Sequence, residues 1–203
     1  MRWQLVGLAV LAASMTARGG VPAQLSVADV EAMTPIDTLP DPAYLDTVFG
    51  NQTLVQLQVI ANDTSADFGV QLRAIRMLAA YCPTTGPCGV GTTTHDTLAA
   101  IVDSYAPITD ETPKEVLRLR AAIETLGIAG RTAGLDADVS RLTQFLGHRS
   151  RDIRATTANA LRVLCNTQAI TPLRVRLQSE GIDQVRLAIS AALRDLGTGQ
   201  CGH

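Results

Sequence analysis

The chain is poor in aromatic residues and nearly free of lysine. Of 203 residues only 3% are Phe, Trp or Tyr, and Lys114 is the single lysine. Hydrophobic residues still make up 46%, so the core must be built from Leu, Ile, Val and Ala. Leu and Ala favour helix, and small Ala side chains let helices approach closely. No stretch shows the sustained apolar–polar alternation of a half-buried strand. The expected fold class is therefore all-α. A net charge of −2 with one lysine also argues against general nucleic-acid binding.

Catalytic motifs are missing as well. There is no Gly-x-Ser-x-Gly, and His95, His148 and His203 lie far apart, with no pair set on one helix face. Lys114 is followed by Glu115, which excludes a phosphate-binding P-loop, and "GVG" at 89–91 is too little for a nucleotide loop. The acidic stretches lack the ligand spacing of a calcium loop. Cys82, Cys88 and His95 lack the close pairing of zinc ligands. These absences favour a non-enzymatic protein with no metal and no cofactor.

What is present begins with a leader. "MRWQLVGLAVLAASMTARGGVPAQ" has a basic start at Arg2, an apolar run over 5–15 and small residues at Val21-Pro22-Ala23. That order is the order of a signal peptide, expected over residues 1–23. The run is too short for a settled membrane span, and no Cys follows it to take a lipid anchor. The expectation is an exported protein, periplasmic or extracellular, with no stable span after cleavage. Cys82, Cys88, Cys165 and Cys201 then read as two disulfides, with three connectivities open. Cys82–Cys88 would close "CPTTGPC", and Cys165–Cys201 would tie a late helix end to the tail.

Charge is unevenly placed. Residues 24–112 hold two arginines against eleven acids, whereas residues 113–203 hold thirteen Lys and Arg against eight acids. A molecule polarised in this way offers a basic end to acidic partners.

Residues 24–46 read as an N-terminal cap segment, with "SVADVEAM" a short helix and Pro35, Pro40 and Pro42 turning the chain. Helical periodicity then runs over 47–197, and 198–203 is a tail. "TPKE" sets Thr112 as helix N-cap, Pro113 in the first turn and Glu115 as the capping-box acid. The helices also resemble one another. Leu142, Leu146, Ile153-Arg154, Ala160, Leu161 and Leu164 match Leu173, Leu177, Val185-Arg186, Ala192, Leu193 and Leu196. A first unit fits around Val70, and a looser second one carries Leu117-Arg118 before "IETLGIAG" slips by a residue. Offsets 0, 4, 7, 8 and 11 cluster on one helical face. Each helix pair therefore has more apolar surface than it can bury alone, which stacking resolves.

"DIRATTANALRVL", "IDQVRLAISAALRDL" and "ITPLRVRL" resemble the HEAT repeat family, in the short bacterial form similar to phycobilisome lyase HEAT-like repeats. The likeness is specific over 136–197, fair around 67–81 and weak around 95–129. It implies a right-handed α-solenoid of about four helix pairs, usually a protein-binding scaffold. It also implies that Arg154 and Arg186 form a structural ladder with acids of neighbouring turns, for which Asp152 and Asp183 are near. The family holds accessory enzymes too, the bilin lyases and isomerases, but an export signal argues against a pigment-protein client.

Exposed positions on the second helices are the candidate binding residues. Counted from Val70, Ile153 and Val185, offset 6 carries Arg76 and Asn159, and offset 9 carries Arg162 and Arg194. Offset 9 points away from the core, so Arg162 and Arg194 are expected side by side on the inner surface, able to take a carboxylate. The Gly/Thr-rich loop 82–96 is a second contact candidate. The expected function is a protein-binding or scaffold module whose partner is another protein with acidic groups at the contact. A regulatory subunit of an envelope enzyme is the neighbouring possibility.

Overall fold

Helix starts are set by local chemistry. Asp41, Asp67 and Thr92 each accept a hydrogen bond from a backbone N–H in the first turn that follows. Thr112 and Glu115 close the reciprocal capping box expected from "TPKE". The computed structural model of the chain describes Met33 and residues 38–83, 88–106 and 110–200. The expected signal peptide, most of the cap segment, the middle of the Cys82–Cys88 loop and Cys201 lie outside the described residues.

Among the described residues the structure is helical, without strands. In chain order the helices are α1 (Pro42–Phe49), α2 (Thr53–Asn62), α3 (Phe68–Met77), α4 (Thr93–Asp103) and α5 (Pro113–Ala129). They continue with α6 (Asp136–Thr143), α7 (Arg151–Leu164), α8 (Ile170–Ser179) and α9 (Asp183–Thr198). Several last turns tighten into 3-10 geometry, at Leu78–Tyr81, Gly130–Thr132 and Gln144–Gly147. Where helices stop abruptly the backbone turns left-handed, at Cys165 (φ 56°) after α7 and Gly199 (φ 67°) after α9.

Four sequential pairs pack together: α2 with α3, α4 with α5, α6 with α7 and α8 with α9. The second helices also touch in succession, α3 to α5 to α7 to α9. The first helices do likewise, α2 to α4 to α6, with α8 meeting the 3-10 turn after α6. The result is two helix layers with the core between them. Fully buried Leu57, Ile60, Ile75, Leu78, Leu98, Leu119, Ile123, Leu126, Leu142 and Ile153 run along that core. Burying each such side chain contributes about 1.5–3 kcal/mol.

The second repeat departs from the expected register: Leu117, matched to the buried Ile153 and Val185, is 45% exposed. Gly127 is buried in α5, and a Cβ there would lie 2.9 Å from the Cα and Cβ of Ala160 on α7. The glycine lets α5 and α7 approach backbone to backbone. A side chain at that register would push the third pair off the second.

The Cys82–Cys88 disulfide is present, with Cα atoms 5.2 Å apart. It uses both sulfurs that a zinc site with His95 would have needed. None of the described cysteines is a free thiol. The expected Cys165–Cys201 bridge ends on a residue outside the described ones.

A candidate binding groove on the second helices

Side chains at i, i+4 and i+8 share one helix face, and α5 puts Arg120, Glu124 and Ile128 on such a face. On α7, Thr156, Asn159, Arg162 and Val163 face them across a cavity of about 300 Å³. It adjoins a smaller one of about 100 Å³, where Arg120, Thr156 and Asn159 recur beside Asp152 of α7 and Gln184 of α9. Arg120, Glu124 and Asn159 are exposed, and Ile128 is an exposed hydrophobic on the rim. The groove therefore offers a cation, an acid, an amide and an apolar contact within one surface strip. An amide both donates and accepts, as a peptide group does. Charged, amide and apolar groups can therefore all be met along one strip.

Two of the four expected binding residues belong to this groove, Asn159 and Arg162. Arg76 is exposed on α3 and does not line it. Arg162 and Arg194 are near each other, as expected, but they flank a carboxylate of their own chain. Asp195 is 3.4 Å from Arg162 Nη1 and 3.2 Å from Arg194 Nε. The two arginines are therefore not a bare cationic pair, since each already touches an acid of its own chain. Sequence reasoning missed Arg120, Glu124 and Thr156. The i, i+4 spacing of Arg120 and Glu124 was visible, but the slipped register of the second repeat hid which way they face.

Arg154 and Arg186 are both engaged, but not with the acids expected of them. Arg154, 7% exposed, makes a two-pronged pair with Glu180, Nε to Oε2 at 2.7 Å and Nη2 to Oε1 at 3.0 Å. Its Nη1 donates to the carbonyls of His148 and Arg149. Arg186 likewise donates to the carbonyls of Leu177 and Glu180. Both arginines close the turn inside their own helix pair, and Arg154 also grips the next one. Asp152 instead lies 3.8 Å from Arg151, and Asp183 is exposed, so neither is the partner expected of it. The Glu180 carboxyl is held down to about 2 by the Arg154 hydrogen bonds, against burial and with help from Arg176 and the Ile182 N–H.

The histidines, scattered in sequence, meet acids in space. His95, 1% exposed, sits between Asp96 (Nδ1, 2.9 Å) and the fully buried Asp138 (Nε2, 3.0 Å). Arg141 joins Asp138 at 2.6 Å and Asp103 at 2.7 Å. This cluster ties the start of α4 to α6. His148 Nδ1 accepts from the Ser150 N–H, so its proton is on Nε2 and is donated to Glu111 at 2.8 Å. Burial raises the Glu111 carboxyl, but the His148 bond and Arg149 outweigh it and leave it below its ordinary range.

Both arrangements hold their histidines through groups of the chain itself. Both nitrogens of each ring are already engaged, and His95 and Asp138 are shut from solvent. His148 borders a cavity of about 390 Å³ with Tyr105, Gln144, Phe145 and Arg149, but presents no spare ring nitrogen to it. Among the described residues no group of three or more His, Cys, Asp or Glu is placed to hold a metal ion. No helix among them is long and apolar enough to cross a membrane. Comparison with known protein families, curated proteins and solved structures finds no match to this chain.

Proposed function

We propose that the protein is an exported, non-enzymatic binding module, an α-solenoid of four HEAT-like helix pairs that engages a polypeptide partner. The observation that carries this reading is the groove between α5 and α7, with Arg120, Glu124 and Asn159 exposed along it. Stacked helix pairs present such strips as extended binding surfaces. The succession of second-helix contacts supports the solenoid, and the Cys82–Cys88 bridge suits an oxidising compartment. Basic groups on the strip favour a partner with acidic side chains, consistent with the excess of arginine after residue 112.

The test is crosslinking capture from the exporting cell's envelope and medium, comparing the natural chain with an Arg120→Glu/Asn159→Leu variant of equal helicity. One dominant protein lost in the variant supports the groove. A partner held equally by both moves the contact elsewhere. A bound pigment or metabolite in place of a protein overturns the scaffold reading in favour of an accessory enzyme.

A further inference from the structure

The last two second helices carry one pattern in two surroundings. In matched register, Ala155, Ala158 and Arg162 of α7 correspond to Leu187, Ser190 and Arg194 of α9. On α7 the stripe is closed: Ala158 is 0% and Ala155 8% exposed, and Arg162 reaches Asp195 of α9. On α9 no described residue closes it. Leu187 is 71% exposed, and Asp183, Ser190 and Arg194 are exposed along the same line. At roughly 100° per residue, positions 183, 187, 190 and 194 fall within about 60° of one another. The end of a stack of helix pairs ordinarily turns a polar face outward. This face instead carries an exposed leucine, with Ile182 (40% exposed) just before Asp183.

We infer that this stripe is a two-fold interface on which the α9 of a second copy lies antiparallel. The occupant follows from the order of side chains. With the helices antiparallel and the axis between 187 and 190, Asp183 of each copy faces Arg194 of the other, and each Leu187 lies opposite Ser190. A parallel arrangement would set Asp183 against Asp183 and Arg194 against Arg194, which is repulsive. Asp183 also stands in the first turn of α9, where its charge complements the helix dipole. Arg194 touches Asp195 through Nε, and its side chain is 71% exposed, leaving the terminal nitrogens to meet a carboxylate. A two-fold contact of this kind is self-complementary, as an isologous interface must be.

Sedimentation of the purified chain over a concentration series tests this directly. The natural protein should move from one toward two chain masses as concentration rises. Leu187→Asp should abolish the shift. Asp183→Arg and Arg194→Asp should each weaken it by placing like charges opposite, and the two together should restore it. Circular dichroism confirms that each variant is folded, and Arg120→Glu, in the groove, should behave as the natural chain. A single chain mass at every concentration overturns the inference. So does a dimer indifferent to Leu187→Asp, or a charge-exchanged double variant no better than its parents.

Discussion

Two buried ion clusters join one helix pair to the next, and they are built differently. In the C-terminal half, Arg154 of α7 reaches Glu180 and the carbonyls of its own turn. Backbone carbonyls are available in any sequence, so such an arginine can serve again in the next repeat, as Arg186 does. At the junction of the second and third pairs, His95, Asp96, Asp103, Asp138 and Arg141 come from α4 and α6 and depend on one another's side chains. The first device is modular. The second fits one junction only, where the disulfide loop enters α4.

Removing the modular device should have the larger effect. Arg154→Met leaves Glu180, 1% exposed at its side chain, with only Arg176 as cation. Breaking a buried pair from one side costs about 3–5 kcal/mol, whereas Arg154→Met/Glu180→Leu should regain most of it, as chemical denaturation will show. The same pair sets an acid limb. The folded carboxyl titrates at about 2 against an ordinary 4.5, so its contribution is full above the ordinary value and is lost as pH falls toward about 2. In Arg154→Met that part of the pH–stability curve should flatten.

His95→Ala should cost less, about 2 kcal/mol, because Asp138 keeps Arg141 at 2.6 Å. Hydrogen exchange sharpens the contrast. This variant should loosen α4 and α6 while sparing α8 and α9, and Arg154→Met should do the reverse. Equal loosening of both sets of helices would show that the clusters act as one network.

Smaller effects lie between the clusters. Gly127→Ala adds a good helix former, yet its Cβ would meet the Ala160 backbone at 2.9 Å. A net loss of about 1 kcal/mol in thermal unfolding is expected, since overpacking outweighs propensity. Arg162→Ala should be the mildest, below about 1 kcal/mol, because its side chain is 34% exposed and its pair with Asp195 is long at 3.4 Å.

The periodic C-terminal helices were legible from sequence because periodicity is local: it places Ile153, Leu161 and Leu164 on one face whatever lies beyond. The capping box at Thr112 and the short Cys82–Cys88 closure were legible for the same reason. Partners of buried charge were not. Glu180 is 26 residues from Arg154, and Asp138 is 43 from His95, and no spacing rule spans a change of helix pair. Asn159 and Arg162 were found for the groove, but its α5 wall was missed because the second repeat does not keep the register of the others, as the 45% exposure of Leu117 shows.

The sequence by itself determined where helices begin, which stripe of each is apolar, and that each pair has more apolar surface than it can cover. Only the tertiary structure decided which neighbour covers it. Ala155 and Leu187 hold equivalent places in the repeat, yet one is 8% and the other 71% exposed. Burial belongs to a residue's surroundings, and α7 has a following helix on that side where α9, among the described residues, has none.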